Sequence, residues 1–185
     1  MVCLCIGINF KNKKGEENMN RYQSIELLNQ AVGDELQSIH QYLNFHLYCE
    51  RSGYEMLANI FDQIAIVEIK HLEMLADRIS VLGGKINLRL PNDVEHCNTV
   101  KAMVAISTEM ETLSAKHYRR RALTMMENSD FVSQKLFEEL AVQEVEHGKV
   151  FYSKTRSLNE LSAIAPNYAP SLFLRKQILE KEYCL

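Results

Sequence analysis

The sequence predicts an all-α protein: a bundle of four long helices with one long crossover between the second and third, and a short C-terminal fifth helix. Three observations carry this. Proline stands only at positions 91, 166 and 170, so residues 19–90 and 92–165 are free of the strongest helix breaker. Apolar residues recur at alternating three- and four-residue steps through four segments, the spacing of one buried helix face. Turn signals separate those segments: Gly53 in "RSGYE", Gly83 and Gly84 in "LGGK", and "NSD" at 128–130.

Residues 1–18 read as a flexible N-terminal segment, because "KNKKGEEN" at 11–18 is charged and has no apolar stripe; Met19 is a candidate start. Helix α1 is expected over about 20–50, with the inward ladder Ile25, Leu28, Val32, Glu35, Ile39, Tyr42, His46, Cys49. Helix α2, over about 54–82, gives Leu57, Phe61, Ile64, Glu68, His71, Leu75. Helix α3, over about 98–127, gives Val104, Ser107, Glu111, Ser114, Tyr118. Helix α4, over about 131–158 with Ser129 or Asp130 as its N-cap, gives Phe137, Leu140, Glu144, His147, Phe151. A shorter helix over about 170–183 follows the "APNYAP" break, so the bundle occupies 19–160 and a tail 161–185.

Connection lengths fix the topology. The α1–α2 and α3–α4 links hold only a few residues, so each pair forms an antiparallel hairpin. The α2–α3 link, "GGKINLRLPNDVEHC", can extend to about 50 Å, against about 42 Å for a 28-residue helix. It can therefore run the length of the bundle and leave α2 and α3 parallel.

The 185 residues, 46% hydrophobic and 24% charged, suit one soluble domain. A net charge of −3 gives no footprint for nucleic acid or a membrane surface, and no apolar run approaches a bilayer span. "MVCLCIGINF" lacks the basic start and cleavage site of a signal peptide, so a cytoplasmic location is expected. Cys3, Cys5, Cys49, Cys97 and Cys184 contain no Cys-x-x-Cys pair and read as reduced thiols, with Cys3/Cys5 as a weak soft-metal alternative.

Each ladder carries a glutamate near its middle, and two carry Glu-x-x-His, whose side chains share one helix face. Mid-helix groups meet at mid-height whichever way the helices run, so Glu35, Glu68, Glu111, Glu144, His71 and His147 should converge. A shift of 76 residues pairs Glu35 with Glu111, Glu68 with Glu144, His71 with His147, Tyr42 with Tyr118 and Phe61 with Phe137. One hairpin has been duplicated, and the site should have a pseudo-twofold axis. A lone Glu-x-x-His is a weak signal, but six such residues in duplicate spacing on apolar ladders are not explained by solvated surface pairs. Four clustered carboxylates repel one another, and two divalent cations remove that repulsion. Carboxylates and imidazoles without thiolate suit iron or manganese.

With "GDELQSIHQY" at 33–42, "VEIKH" at 67–71, Glu111 and "QEVEHG" at 143–148, the chain resembles the ferritin-like di-iron proteins, and bacterioferritins in particular. The resemblance implies a ferroxidase that oxidises Fe²⁺ with O₂ or H₂O₂ for iron storage or detoxification, acting in a homo-oligomer of the ferritin shell type. It implies that Glu68 and Glu144 bridge two iron ions, that Glu35 and His71 complete one ion, and that Glu111 and His147 complete the other. Tyr42 would then be a hydrogen-bond donor or electron source beside the site, or simply core. The sequence departs from the bacterioferritin pattern at Ile69, where the haem-ligating methionine is expected, so haem is not expected. It departs also at Gln63 and Val67, where cavity-wall His and Asp are frequent, and at Val150 in place of a tryptophan. The alternatives are a rubrerythrin-like peroxidase, although Ser114 stands where rubrerythrins add a glutamate, or a manganese-catalase-like enzyme on the same dinuclear site.

Overall fold

The computed structural model describes residues 10–164, with side chains from 17 through 154. Four helices and no strand occur among them: α1 Phe10–Arg51, α2 Glu55–Val81, α3 Val100–Glu127 and α4 Phe131–Ile164. The ends of α2 and α3 fall within two residues of expectation. By contrast, α1 begins about ten residues before the expected start, and α4 runs about six residues beyond its expected end. No proline interrupts residues 10–19, and Lys and Glu are good helix formers, so an established helix simply propagates into the charged stretch read as flexible. The expected fifth helix at 170–183 and the Cys3/Cys5 pair lie outside the described residues.

Three helices stop by the same device. A residue with positive φ follows each of α1, α2 and α3: Gly53 at 75°, Gly83 at 70° and Ser129 at 59°. The next backbone N–H then reaches back over the end of the helix: Tyr54 N to Cys49 O at 2.8 Å, Gly84 N to Ile79 O at 2.9 Å and Asp130 N to Met125 O at 2.9 Å. These bonds satisfy carbonyls that the helix leaves unpaired. Ser129 stands 76 residues after Gly53, so the repeat extends to the turn but with a side chain in the left-handed region. Asp130, as expected, begins α4: its carboxylate accepts from Ser133 N at 3.1 Å, Ser133 Oγ at 2.7 Å and Arg78 Nη2 at 2.7 Å.

The crossover is fastened to α1 by carboxamide side chains. Asn29 donates to Lys85 O and accepts from Asn87 N; Gln37 donates to Asp93 O and accepts from Asn92 N; Gln41 donates to Glu95 O and accepts from Glu95 N. Tyr48 OH closes the series on Asn98 O at 2.8 Å. From Asn29 to Tyr48 the helix rises about 28 Å, so the link runs along the bundle. Cross-helix contacts give the directions. Tyr42 meets Glu111 while Tyr118 meets Glu35, so α1 and α3 are antiparallel. Gln143 meets His71 while Asp130 meets Arg78, so α2 and α4 are antiparallel too. With α1 and α2 forming a hairpin, α2 and α3 are parallel, which is the one-crossover topology.

The core is split. One apolar cluster contains Tyr42, Phe45, Leu57, Phe61, Met103, Val104 and Phe151; the other contains Leu28, Val32, Leu75, Ile79, Tyr118, Met125, Phe137 and Leu140. The repeat is visible in both: Tyr42 stacks on Phe61 with centroids 6.2 Å apart, and Tyr118 on Phe137 at 5.6 Å. On α1 the innermost residues include Ser24, Ser38 and Phe45, while Ile25, Ile39 and His46 of the expected ladder are only half-buried. Ser24 and Ser38 are buried in the seam, and Ile25 and Ile39 flank it. No helix among the described residues is long and apolar enough to cross a membrane.

Two outcomes follow. Ser129→Gly removes a left-handed strain of about 1–2 kcal/mol and adds chain entropy to the unfolded state, for a net gain of up to about 1 kcal/mol in denaturant unfolding. For Asp130, burial pushes the carboxyl up, but the Ser133 and Arg78 hydrogen bonds outweigh it and hold it below its ordinary range. Its stabilisation is therefore present above the unfolded value of about 4 and lost as pH falls through the lower folded value. The stability gap between wild type and Asp130→Asn, read from urea midpoints, should shrink as the pH is lowered through that window.

Candidate metal centre

Between the two apolar clusters lies a layer of ionisable side chains drawn from all four helices. Glu35 comes from α1, Glu68 and His71 from α2, Glu111 from α3, and Glu144 with His147 from α4. The structure brings together all six residues singled out in the sequence. Five are buried and His147 is partly open, its side chain 13% exposed. Glu68 and Glu144 stand in the middle and turn one oxygen to either histidine. Oε2 of Glu68 is 2.7 Å from His71 Nδ1 and Oε1 is 3.0 Å from His147 Nδ1. Oε1 of Glu144 is 3.1 Å from His71 Nδ1 and Oε2 is 3.8 Å from His147 Nδ1. Glu35 lies 3.7 Å from His71 Nδ1 on one side, and Glu111 lies 3.5 Å from His147 Nδ1 on the other. The rings are nearly parallel, at 17°, with centroids 5.7 Å apart.

The six residues form two overlapping groups. Glu35, Glu68, His71 and Glu144 have ligand atoms within 4.8 Å of one another, and so do Glu68, Glu111, Glu144 and His147. Buried polar atoms normally find hydrogen bonds. Here both oxygens of Glu68, Oε2 of Glu111, Oε1 of Glu144 and Nδ1 of both histidines make none of proper geometry. Three carboxylate oxygens crowd each Nδ1, which can carry only one proton. Orphaned oxygen and nitrogen atoms aimed at common centres are what a pair of cations would satisfy, and the donor set suits iron or manganese.

Without cations the layer balances its own charge. Burial raises Glu35 well above its ordinary range, and the neighbouring Glu68 charge raises it further; burial and the facing carboxylates do the same for Glu111. Burial also opposes ionisation of Glu68 and Glu144, but the histidines win: both are lowered, Glu144 to about 2. Burial pushes the imidazoles down, and the carboxylates around them overcome it, raising His71 far above its ordinary value and His147 to about 12. These opposed directions favour protons on the outer carboxyls and the imidazoles and negative charge on Glu68 and Glu144.

The supporting groups repeat as well. Tyr42 on α1 donates to Glu111 on α3, and Tyr118 on α3 donates to Glu35 on α1. The Arg121 guanidinium lies over the Tyr118 ring, 5.8 Å from its centroid, and pairs with Asp34 at 2.7 Å. Gly148 brings α4 close to α3, and a Cβ there would just touch Glu111 Cβ at 3.4 Å. Gln143 accepts from His71 Nε2 at 3.1 Å.

The profile of the ferritin-like domain matches residues 25–161. The chain belongs to the ferritin-like family. Within it, the chain is 31% identical to the bacterioferritin of Desulfovibrio desulfuricans over 133 residues, 72% of this chain and 74% of the relative. It is 29% identical to the bacterioferritin of Streptomyces coelicolor over 66% of this chain and 74% of the relative. An X-ray structure of the D. desulfuricans bacterioferritin, determined with its diiron site in different catalytic states, superposes with a TM-score of 0.76 at 29% identity. The match covers 79% of this chain and 85% of that one.

This ferritin-like layer takes polar contacts from two residues to which the sequence assigned no site role: Tyr118, which stands on the α3 ladder, and Gln143, which stands on none. Tyr118 was legible in principle, because the 76-residue shift pairs it with Tyr42. Gln143 had no signal, since a glutamine beside an inward glutamate looks like ordinary helix surface. The remaining histidines stay outside the layer: His46 is half-buried with Nδ1 3.0 Å from Ala58 O, while His40, His96 and His117 are exposed. Tyr118→Phe keeps the ring packing and deletes the donor to Glu35. It should cost about 1–2 kcal/mol in denaturant unfolding of metal-free protein, and Tyr42→Phe a similar amount.

Proposed function

We propose that the protein is a cytoplasmic, bacterioferritin-like ferroxidase that takes up Fe²⁺, oxidises it with O₂ or H₂O₂ and stores the Fe³⁺. One observation carries the reading: two ligand sets of three carboxylates and one imidazole overlap at Glu68 and Glu144. In this reading Glu68 and Glu144 bridge a pair of ions, Glu35 and His71 complete one, and Glu111 and His147 complete the other. Manganese would fit the same donors. The diiron site of the D. desulfuricans relative supports iron.

The substrate is a pair of Fe²⁺ ions. Each gives up one electron, reducing O₂ with two protons to H₂O₂, or H₂O₂ with two protons to water. The chain supplies the setting. Its hard oxygen donors favour the higher charge of the product ion, which helps drive the oxidation. The two histidines and the protonated Glu35 and Glu111 surrender protons as cations enter, so uptake is linked to proton release. Tyr42 and Tyr118 hold the outer carboxylates against the pull of the ions, and the apolar clusters on either side keep bulk water from the reacting pair.

Haem does not enter the reading. Ile69 has no ligand atom, and its side chain lies on the outer surface of α2, 43% exposed. Storage requires a hollow homo-oligomer, which the bacterioferritin relatives support as an inference for this chain.

Glu68→Ala removes an oxygen from both ligand sets and should abolish rapid Fe²⁺ oxidation, followed by the rise of ferric absorbance. Metal content and native mass measured on one purified sample test the rest: bound iron in a large shell is expected. A metal-free monomer would refute the proposal. Sustained H₂O₂ turnover without a ferric core would replace it with a peroxidase.

A further inference from the structure

We propose that the two halves of the site are inequivalent, and that Gln143 is the positioning residue that makes the His71 half the tighter one. The inference rests on the dinuclear reading above and goes beyond it, because the ligands themselves obey the repeat. The groups behind them do not. His71 has a partner on the nitrogen that faces away from the site: Nε2 donates to Gln143 Oε1 at 3.1 Å. A shift of 76 residues takes Gln143 to Val67, which has no polar side-chain atom. Among the described residues, every polar contact of His147 runs through Nδ1. The His71 side chain is 1% exposed, against 13% for His147.

A partner on the far nitrogen holds the ring in its ligating orientation, raises its basicity and, once Nδ1 gives up its proton to an entering ion, fixes the tautomer that leaves Nδ1 as the ligand atom. Losing such a partner typically costs about 10–100-fold in metal affinity. His71 is held in this way before any ion arrives. His147 is held from the site side alone, by carboxylates that the ions themselves would engage, and its side chain is partly open to solvent. The first divalent ion therefore occupies the Glu35/His71 half and stays, and the Glu111/His147 half fills second and exchanges.

The test is a titration of the full-length, metal-free protein with Co²⁺, followed by its visible absorption. Wild type should fill in two resolved steps. Gln143→Val should weaken the first step by about 10–100-fold and leave the second in place, while Gln143→Glu, which keeps an acceptor for Nε2, should restore the first step. Val67→Gln, on the opposite half, should tighten the second step and narrow the gap, a readout that does not depend on Gln143 variants folding. Two equal steps in wild type, or an equal effect of Gln143→Val on both, would overturn the inequivalence and leave the dinuclear site standing. Absence of Co²⁺ uptake by wild type would overturn both.

Discussion

Four carboxyl groups and two imidazoles meet at the centre of a helical bundle, and the rest of the structure is arranged around that meeting. An ion buried without a partner costs several kcal/mol, a large part of the about 5–15 kcal/mol that holds a domain together. The layer is tolerable only because its members answer one another. Glu68 and Glu144 face both histidines, and burial raises Glu35 and Glu111 toward their neutral form. The apolar core gives way at this level and continues on either side as two separate clusters. Each tyrosine spans a boundary, its ring in one cluster and its hydroxyl on an outer carboxylate.

Parallel α2 and α3 place the two Glu-x-x-His helices, α2 and α4, antiparallel across the layer. A duplicated hairpin then presents its histidines from opposite directions at one height. That is why a linear shift of 76 residues becomes a rotation in space. The rotation is obeyed strictly by the ligands, closely by the Tyr–Phe stacks, and loosely at the periphery, where Ser129 replaces Gly53, Arg121 replaces Phe45 and Gln143 replaces Val67.

Most of the fold was legible because helical periodicity, turn residues and link length are local quantities. The site was legible for a related reason: Glu68, His71, Glu144 and His147 are polar residues on otherwise apolar ladders, and duplication removes chance. What escaped depends on how closely helices approach. Ser38 and Phe45, not Ile39 and His46, are buried positions of α1, a one-residue rotation of the face that three- and four-residue steps do not fix. The early start of α1 escaped because a charged stretch without proline reads alike as coil or as exposed helix. Gln143 escaped because only a partner 72 residues away gives it meaning.

The crossover has a further consequence. Asn29, Gln37 and Gln41 grip it through its own amide and carbonyl groups, as a neighbouring strand would, although the gripping groups belong to a helix. The address is thus written on α1, and the carboxamide bonds that hold the strap take only its peptide backbone, while Cys97 packs inward against the core. Lys85, Asn87, Arg89, Asn92, Asp93 and His96 accordingly face outward, unconstrained by the docking. Those outward positions can be rewritten for outside purposes while the interior stays as it is.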